Sequence, residues 1–271
     1  MSKKLKKIGF VFFLVFAVFL FFLIKTVNCE NWGKILKDIR TRQSEFNKKI
    51  SDMIIENETE ILSSEKEVKQ RMKIMRKGDK FRIETIMELP VEEKSQLNPD
   101  AFKTTAIFDG ENMWLISPII GKKRLSDDEN RNYQNERNWW DFVSENDKID
   151  GIENVGKYKC YVIEIKEQEG SPFSKIWIDQ KSLNMLKSEI EGQDGKTTFL
   201  YSEFQKIKDK LEIPYKTELY MGERIVSTTK VKSVKINQCL TNDLFDPDKL
   251  EEPEINLEDP QIKQLINNLD I

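Results

Sequence analysis

The side chains that most often do chemistry near neutral pH are missing or sparse. The 271 residues contain no histidine and only three cysteines, Cys29, Cys160 and Cys239. Without an imidazole, Ser-His-Asp and Cys-His nucleophile activation are excluded, and the commonest zinc ligand is lost. No CxxC or other zinc-ligand spacing occurs. Cys160 and Cys239 are either a disulfide of an oxidising compartment or two separate thiols, one of them small and buried in a strand. Paired carboxylates remain formally open, but among 47 acidic residues any pair reads equally well as solvated surface charge. There is no phosphate-cradling glycine loop and no nucleophile elbow. The expectation is a protein with no catalytic residues, no metal and no cofactor.

The N-terminus sets the destination. Lys3, Lys4, Lys6 and Lys7 precede an uninterrupted apolar run from Ile8 to Ile24, which Lys25 closes. A positive cluster followed by an apolar stretch is the pattern of a secretory signal or a membrane anchor. Seventeen residues reach roughly 25 Å as a helix, long for a cleaved signal and just sufficient for a retained anchor. Cleavage after Cys29, lipidation of Cys29 and retention of the anchor all stay open, with Asn28 an unusual residue before a lipidation cysteine. The chain is therefore expected to be exported, either periplasmic or anchored in a membrane and facing outward. Loss of the five leader lysines takes the net charge from −3 to −8. An acidic surface does not suit nucleic acid, whose phosphates require clustered positive charge.

Past the leader, Trp32, Ile35, Leu36 and Ile39 fall at helical spacing and predict a short amphipathic helix over Trp32–Arg42. The period then changes. Val68, Met72 and Ile74 alternate with Lys69, Arg71 and Lys73, and after the turn at Gly78-Asp79 the residues Phe81, Ile83, Thr85, Met87 and Leu89 alternate with Arg82, Glu84 and Glu88. Alternation at period two is what a sheet needs when one face is wet. Ala106 to Phe108 and Met113 to Ile116 flank Asp109-Gly110, a hairpin signal. Trp139, Trp140, Phe142 and Val143 suit a short helix with one apolar side. A second meander runs through Tyr158–Ile165, Lys175–Asp179, Asn184–Glu191, Thr197–Phe204, Tyr215–Met221 and Ile225–Ile236, with turns that include Gly170-Ser171-Pro172 and Gly222-Glu223. Strands at this spacing predict an all-β sandwich or barrel, and an apolar face on each strand predicts that the sheet curls around something. Beyond Asp246-Pro247 and Glu251-Glu252-Pro253, Ile262, Leu265, Ile266 and Leu269 mark a terminal amphipathic helix.

A curved sheet with an apolar inside must cover it with helices or with a ligand. The aromatic segment at Trp139, Trp140 and Phe142 could do the first and be displaced for the second. Ten buried methylenes alone are worth roughly 8 kcal/mol before ordering costs, so an acyl chain needs no charge partner. Each of Trp114, Trp139, Trp140 and Trp177 taken singly reads as well as a core residue.

Val155 to Glu164, Ser174 to Asp179, Met185 to Glu189, Ile213 to Glu218, Asn237 and Leu244 to Pro247, together with the hairpin Ile107 to Ile116, resemble the LolA-like lipoprotein-sorting proteins over roughly residues 32–248. The resemblance implies a mainly β fold, a strongly curved antiparallel half-barrel with plugging helices, following the N-terminal signal or anchor helix. Residues 1–29 are then the leader, 30–248 the half-barrel domain and 249–271 an acidic linker with the C-terminal helix, a feature outside the family pattern. It further implies a non-catalytic carrier whose partner is a lipid or acylated lipoprotein, acting as a monomer. The alternative is a membrane-tethered sensor that touches a membrane protein on the same scaffold. The expected apolar cavity takes in Trp114, Ile116, Trp139, Trp140, Phe142, Ile176 and Ile178. Arg76 falls near the place of the family's lid arginine, although the proline that usually follows is missing here.

Overall fold

The computed structural model describes residues 32–62, 67–88, 103–118, 120–126, 139–144, 147, 149–165, 171, 173–192, 195–209 and 211–250. The leader, the polar stretch 127–138, most of the turn at 170–172 and the C-terminal amphipathic segment lie outside them.

Helix α1 spans Trp32–Lys49, seven residues beyond the expected Trp32–Arg42. Its strands are β1 (Asp52–Leu62), β2 (Glu67–Lys77), β3 (Lys80–Glu88), β4 (Lys103–Phe108), β5 (Met113–Ser117), β6 (Gly121–Arg124), β7 (Ile149–Val155), β8 (Tyr158–Glu164), β9 (Lys175–Asp179), β10 (Met185–Gly192), β11 (Gly195–Lys208), β12 (Leu211–Met221) and β13 (Arg224–Ile236). All thirteen form one antiparallel sheet in the order β6-β5-β4-β3-β2-β1-β13-β12-β11-β10-β9-β8-β7. The two meanders are thus one surface, joined where β1 pairs with β13 from Met53↔Ile236 to Ile61↔Ser227. The sheet does not close. Its free edges, β6 and β7, are neighbours in sequence, and the connection carrying Trp139–Val143 runs between them. Both edges are poor templates for another strand: β6 is four residues long with Lys122, Lys123 and Arg124, and β7 holds Asp150, Glu153 and a register shift beside Gly151.

Alternation assigns each side chain to one of two faces. Glu56, Glu58 and Glu60 of β1 point outward with Lys73, Arg71 and Lys69 of β2 opposite them, while Ile55, Asn57 and Thr59 point inward with Ile74, Met72 and Gln70. Ion pairs lace the outer face: Glu58–Lys232 at 3.1 Å, Lys216–Glu218 at 2.9 Å, Lys187–Glu189 at 2.8 Å, Arg71–Glu88 at 2.6 Å and the close pair Arg82–Glu84. Turn chemistry fixes the register. Gly110 takes φ +104°, a value L side chains rarely adopt, and the Asp109 carboxylate accepts from the N–H groups of Glu111 (2.8 Å) and Asn112 (2.7 Å).

Two covers complete the fold. Trp32, Ile35, Leu36 and Ile39 lie on one stripe of α1, all nearly inaccessible, against inner-face Ile163, Ile176 and Ile178. The chain after β13 instead crosses the outer face of the first strands in two 3-10 turns, Asn242–Phe245 and Pro247–Lys249. Lys77, Arg82 and Lys122 donate to it, at the Leu240 carbonyl (2.7 Å), the Leu244 carbonyl (3.2 Å) and the Asp248 carboxylate (2.5 Å). Met75, Ile107 and Ile116, on that outer face, are buried, as is Phe245. Cys160 is buried and Cys239 exposed, both as free thiols.

Candidate functional site

The inner face falls into a covered and an uncovered stretch. Over β7–β10 it is sealed by α1 and by the β6–β7 connection. The Trp32 indole N–H donates to the Ser144 carbonyl (3.0 Å), and Arg40 donates to the carbonyls of Trp140 (3.2 Å) and Val143 (2.9 Å). On the helix's other flank Arg42 clamps the β9–β10 turn through the carbonyls of Ser182 (2.5 Å) and Leu183 (3.2 Å) and the Asn184 side chain (3.3 Å). Beyond Arg42 the helix continues because its end is held on both sides. The Lys49 carbonyl accepts from Lys208 Nζ (3.0 Å) and Asn237 Nδ2 (3.1 Å), while Lys49 itself pairs with Asp209 at 2.8 Å. Lys48 and Lys49 also suit the negative end of the helix dipole.

From β3 through β1 and β13 to β11 the same face is largely apolar and, with exceptions such as Thr59 and Phe81, not buried. Met53, Ile55, Met72, Ile74, Ile83, Leu219, Val231 and Val234 are each left half-exposed. Only Phe81, Phe108 and Met113 at its far end form a tight cluster, with the Phe81 and Phe108 rings stacked at 5.6 Å. The inner positions of β1, from Met53 to Ile61, and of β13, from Ser227 to Ile236, carry no charge. This arrangement can do one thing well, which is to take apolar surface out of water.

The residues singled out from sequence divide among three places. Ile176 and Ile178 are inner-face residues beneath α1. Trp139 and Trp140 form a short 3-10 turn, half-buried against the same cluster with their rings 5.6 Å apart, and Phe142 meets Phe173 edge-on at 6.0 Å. Trp114 and Ile116 lie on the outer face instead, opposite Ile107 and Thr105. The Trp114 N–H donates to Asp109 (3.1 Å) and Lys122 stands over its ring, while Ile116 is buried. Trp177 is likewise an outer residue, bonded through its N–H to Glu153 (2.8 Å) and covered by Lys187 at 3.9 Å. Arg76 stands on the inner side of the strand end and donates to the Gly78 carbonyl (3.1 Å). The half-exposed residues of β1, β2, β12 and β13 are not among the expected cavity residues, although Met53 and Ile55 fall on one side of a strand and Met72 and Ile74 alternate with Lys and Arg in the sequence. Among the described residues no group of three His, Cys, Asp or Glu side chains could hold a metal.

The fold is LolA-like: a mainly β, strongly curved, unclosed antiparallel half-barrel with a helix plugging part of its inside. In the same fold are an outer membrane lipoprotein-sorting domain, so assigned by its description, from Vibrio parahaemolyticus (TM-score 0.55) and a DUF1329 family protein from Desulfovibrio piger (TM-score 0.58). Each is 16% identical to this chain, and each match covers 82% of this chain and 98% of the other. No family model and no curated protein sequence matches the chain.

Proposed function

We propose that this is an exported, non-catalytic binding protein that carries a lipid or an acylated lipoprotein against the inner face of its half-barrel. The observation behind the reading is the half-exposed, largely apolar inner face of β1–β3 and β11–β13, uncharged along β1 and β13, beside an end that α1 has already sealed. An acyl chain laid there gains the burial that the described residues leave undone. The lipoprotein-sorting description of one structural neighbour points the same way. In this reading Ile176 and Ile178 with Trp139, Trp140 and Phe142 bound the groove at its sealed end and Arg76 marks its rim, whereas Trp114 and Ile116 support the wall from outside. Purified protein should release lipid on solvent extraction and bind an apolar fluorescent probe that the lipid displaces. A protein with no copurifying lipid and no probe binding overturns the reading.

A second reading, a membrane-tethered sensor that touches a membrane protein, draws on the length of the apolar run from Ile8 to Ile24, which closes only seven residues before Trp32. A shuttle must be released, whereas a tethered sensor keeps its leader. The N-terminal sequence of the protein isolated from native membranes separates them.

A further inference from the structure

The open groove is not uniformly apolar. Pairing aligns Gln70 with Thr59, Thr59 with Thr229, Thr229 with Thr217 and Thr217 with Tyr201, so five adjacent strands place a polar side chain in one inner row. The row spans about 19 Å at ordinary strand spacing. On one side of it lie Ile61, Val68, Leu219 and Phe199, and on the other Ile55, Ile74 and Val234. The wall itself pairs part of this belt, Thr59 with Thr229 and Tyr201 with Ser188 at 3.2 Å, and an amphipathic guest has use for the rest.

Two details say which guest. The Thr59 and Thr229 hydroxyls are 2.8 Å apart, so one donates to the other and one O–H is left to donate elsewhere. Two residues away on β1, the side-chain Oδ1 of Asn57 is buried and accepts no hydrogen bond from any described residue. Buried acceptors are normally paired, and one left unpaired is destabilising. Positions i and i+2 on one face of a strand are about 7 Å apart. A trans amide, whose N–H and C=O point in opposite directions, bridges an acceptor and a donor at about that separation.

We propose that the belt at Asn57, Thr59 and Thr229 selects ligands whose acyl or alkyl chain carries an uncharged amide linkage, Asn57 Oδ1 accepting the amide N–H and the threonine pair donating to its carbonyl. The inference rests on the carrier reading above and names the ligand class of that same groove. No charged side chain shares the inner positions of β1 or β13, so the linkage recognised is neutral.

The test uses the full chain kept soluble in amphipol, with uptake of two matched probes followed by native mass spectrometry: N-hexadecylacetamide and hexadecyl acetate, which differ in the N–H. The native protein should prefer the amide by about tenfold, the worth of one hydrogen bond in a desolvated site. Asn57→Leu, close in size, should erase that preference while still binding both probes, and should unfold no more readily than the native protein because it removes an unpaired buried acceptor. The double change Thr59→Val and Thr229→Val should weaken both probes, since both present a carbonyl. Uptake of both probes without preference, or a preference that survives Asn57→Leu, overturns the belt and leaves the carrier reading standing. Uptake of neither probe overturns both.

Discussion

At the β7–β10 end the inside of the sheet is covered, by α1; at the β1–β6 end it is the outside, by the turns of residues 237–250. Each cover is supplied by the chain segment next to the seam: α1 runs directly into β1, and the turns leave directly from β13. Placing them on opposite faces has a consequence for function. Had both lain inside, the groove would be full; had both lain outside, Ile163, Ile176 and Ile178 would face water. The present arrangement seals one end and leaves the other half-exposed on its inner face. The contrast can be broken most forcefully by removing the anchor of either cover. Trp32→Ala and Phe245→Ala each delete an aromatic side chain that is 1% exposed, and each should cost about 3–5 kcal/mol in urea denaturation. A loss below about 1 kcal/mol from either would show that its segment is not a structural cover at all.

A finer comparison holds the chemistry fixed and changes only the place. Ile178→Ala removes the same atoms from beneath α1 that Ile55→Ala removes from the open stretch. The first should cost about 2–5 kcal/mol, the second about 1 kcal/mol or less, because a half-exposed side chain leaves no sealed cavity behind. Adding an apolar ligand should widen the penalty at Ile55 and leave that at Ile178 unchanged. Equal costs in the unloaded protein would mean that the groove is already filled.

Much of this contrast is legible in the sequence, and where it is not the cause is physical. Strands wet on one face announce themselves: β2 and β3 alternate cleanly, Gly78-Asp79 marks the turn between them, and Asp109-Gly110 marks the turn between β4 and β5. In β5 and β9 the apolar residues run on without alternation, because both faces are covered there: Ile116 on the outer side and Met113 on the inner in β5, Trp177 on the outer side and Ile176 and Ile178 on the inner in β9. A run buried on both sides does not say which side chain faces which way, and so the pattern alone puts Trp114 and Ile116 with Ile176 and Ile178. The edge strands β6 and β7 are illegible for a related reason, since short charged edges lack the hydrophobic pattern that reveals a strand. The closing of two meanders into one sheet rests on β1–β13 pairing across some 170 residues, for which no local signal exists. The last turns of α1 are similar, held by Lys208 and Asn237 from remote strands.

The cysteines give a chemical version of the same comparison. Cys160 lies at the helix-covered end but on the outer face, packed with Val162, Trp177 and Leu186, and burial pushes its thiol up to about 11. At pH 8 about one such thiol in a thousand is ionised, and access is closed as well. Cys239, exposed on the C-terminal cover, should therefore react with a thiol reagent at least a hundredfold faster, with Cys160 following only in denaturant. Early labelling of Cys160 would show that the outer wall opens without global unfolding.

The smallest effect concerns how the C-terminal cover is pinned where it begins. The Asp52 carboxylate accepts from the backbone N–H groups of Gln238 (2.6 Å) and Cys239 (3.1 Å) and from the Ser51 hydroxyl (3.1 Å). Burial acts to raise its pKa, but these donors more than offset it and hold the group below the ordinary carboxylate value of about 3.9. A carboxylate with a lower pKa in the folded than in the unfolded chain contributes its full stability above the unfolded value and loses it as the pH falls through the folded one. The urea midpoint should thus hold steady from pH 6 to about 4 on this account and decline below it, and Asp52→Asn should flatten that decline while leaving the α1 end unaffected. Because α1 and the C-terminal turns meet at this point through Lys49, Ser51, Asp52 and Asn237, a decline carried equally by fluorescence of Trp32 and by labelling of Cys239 would mean that the two covers unfold as one unit.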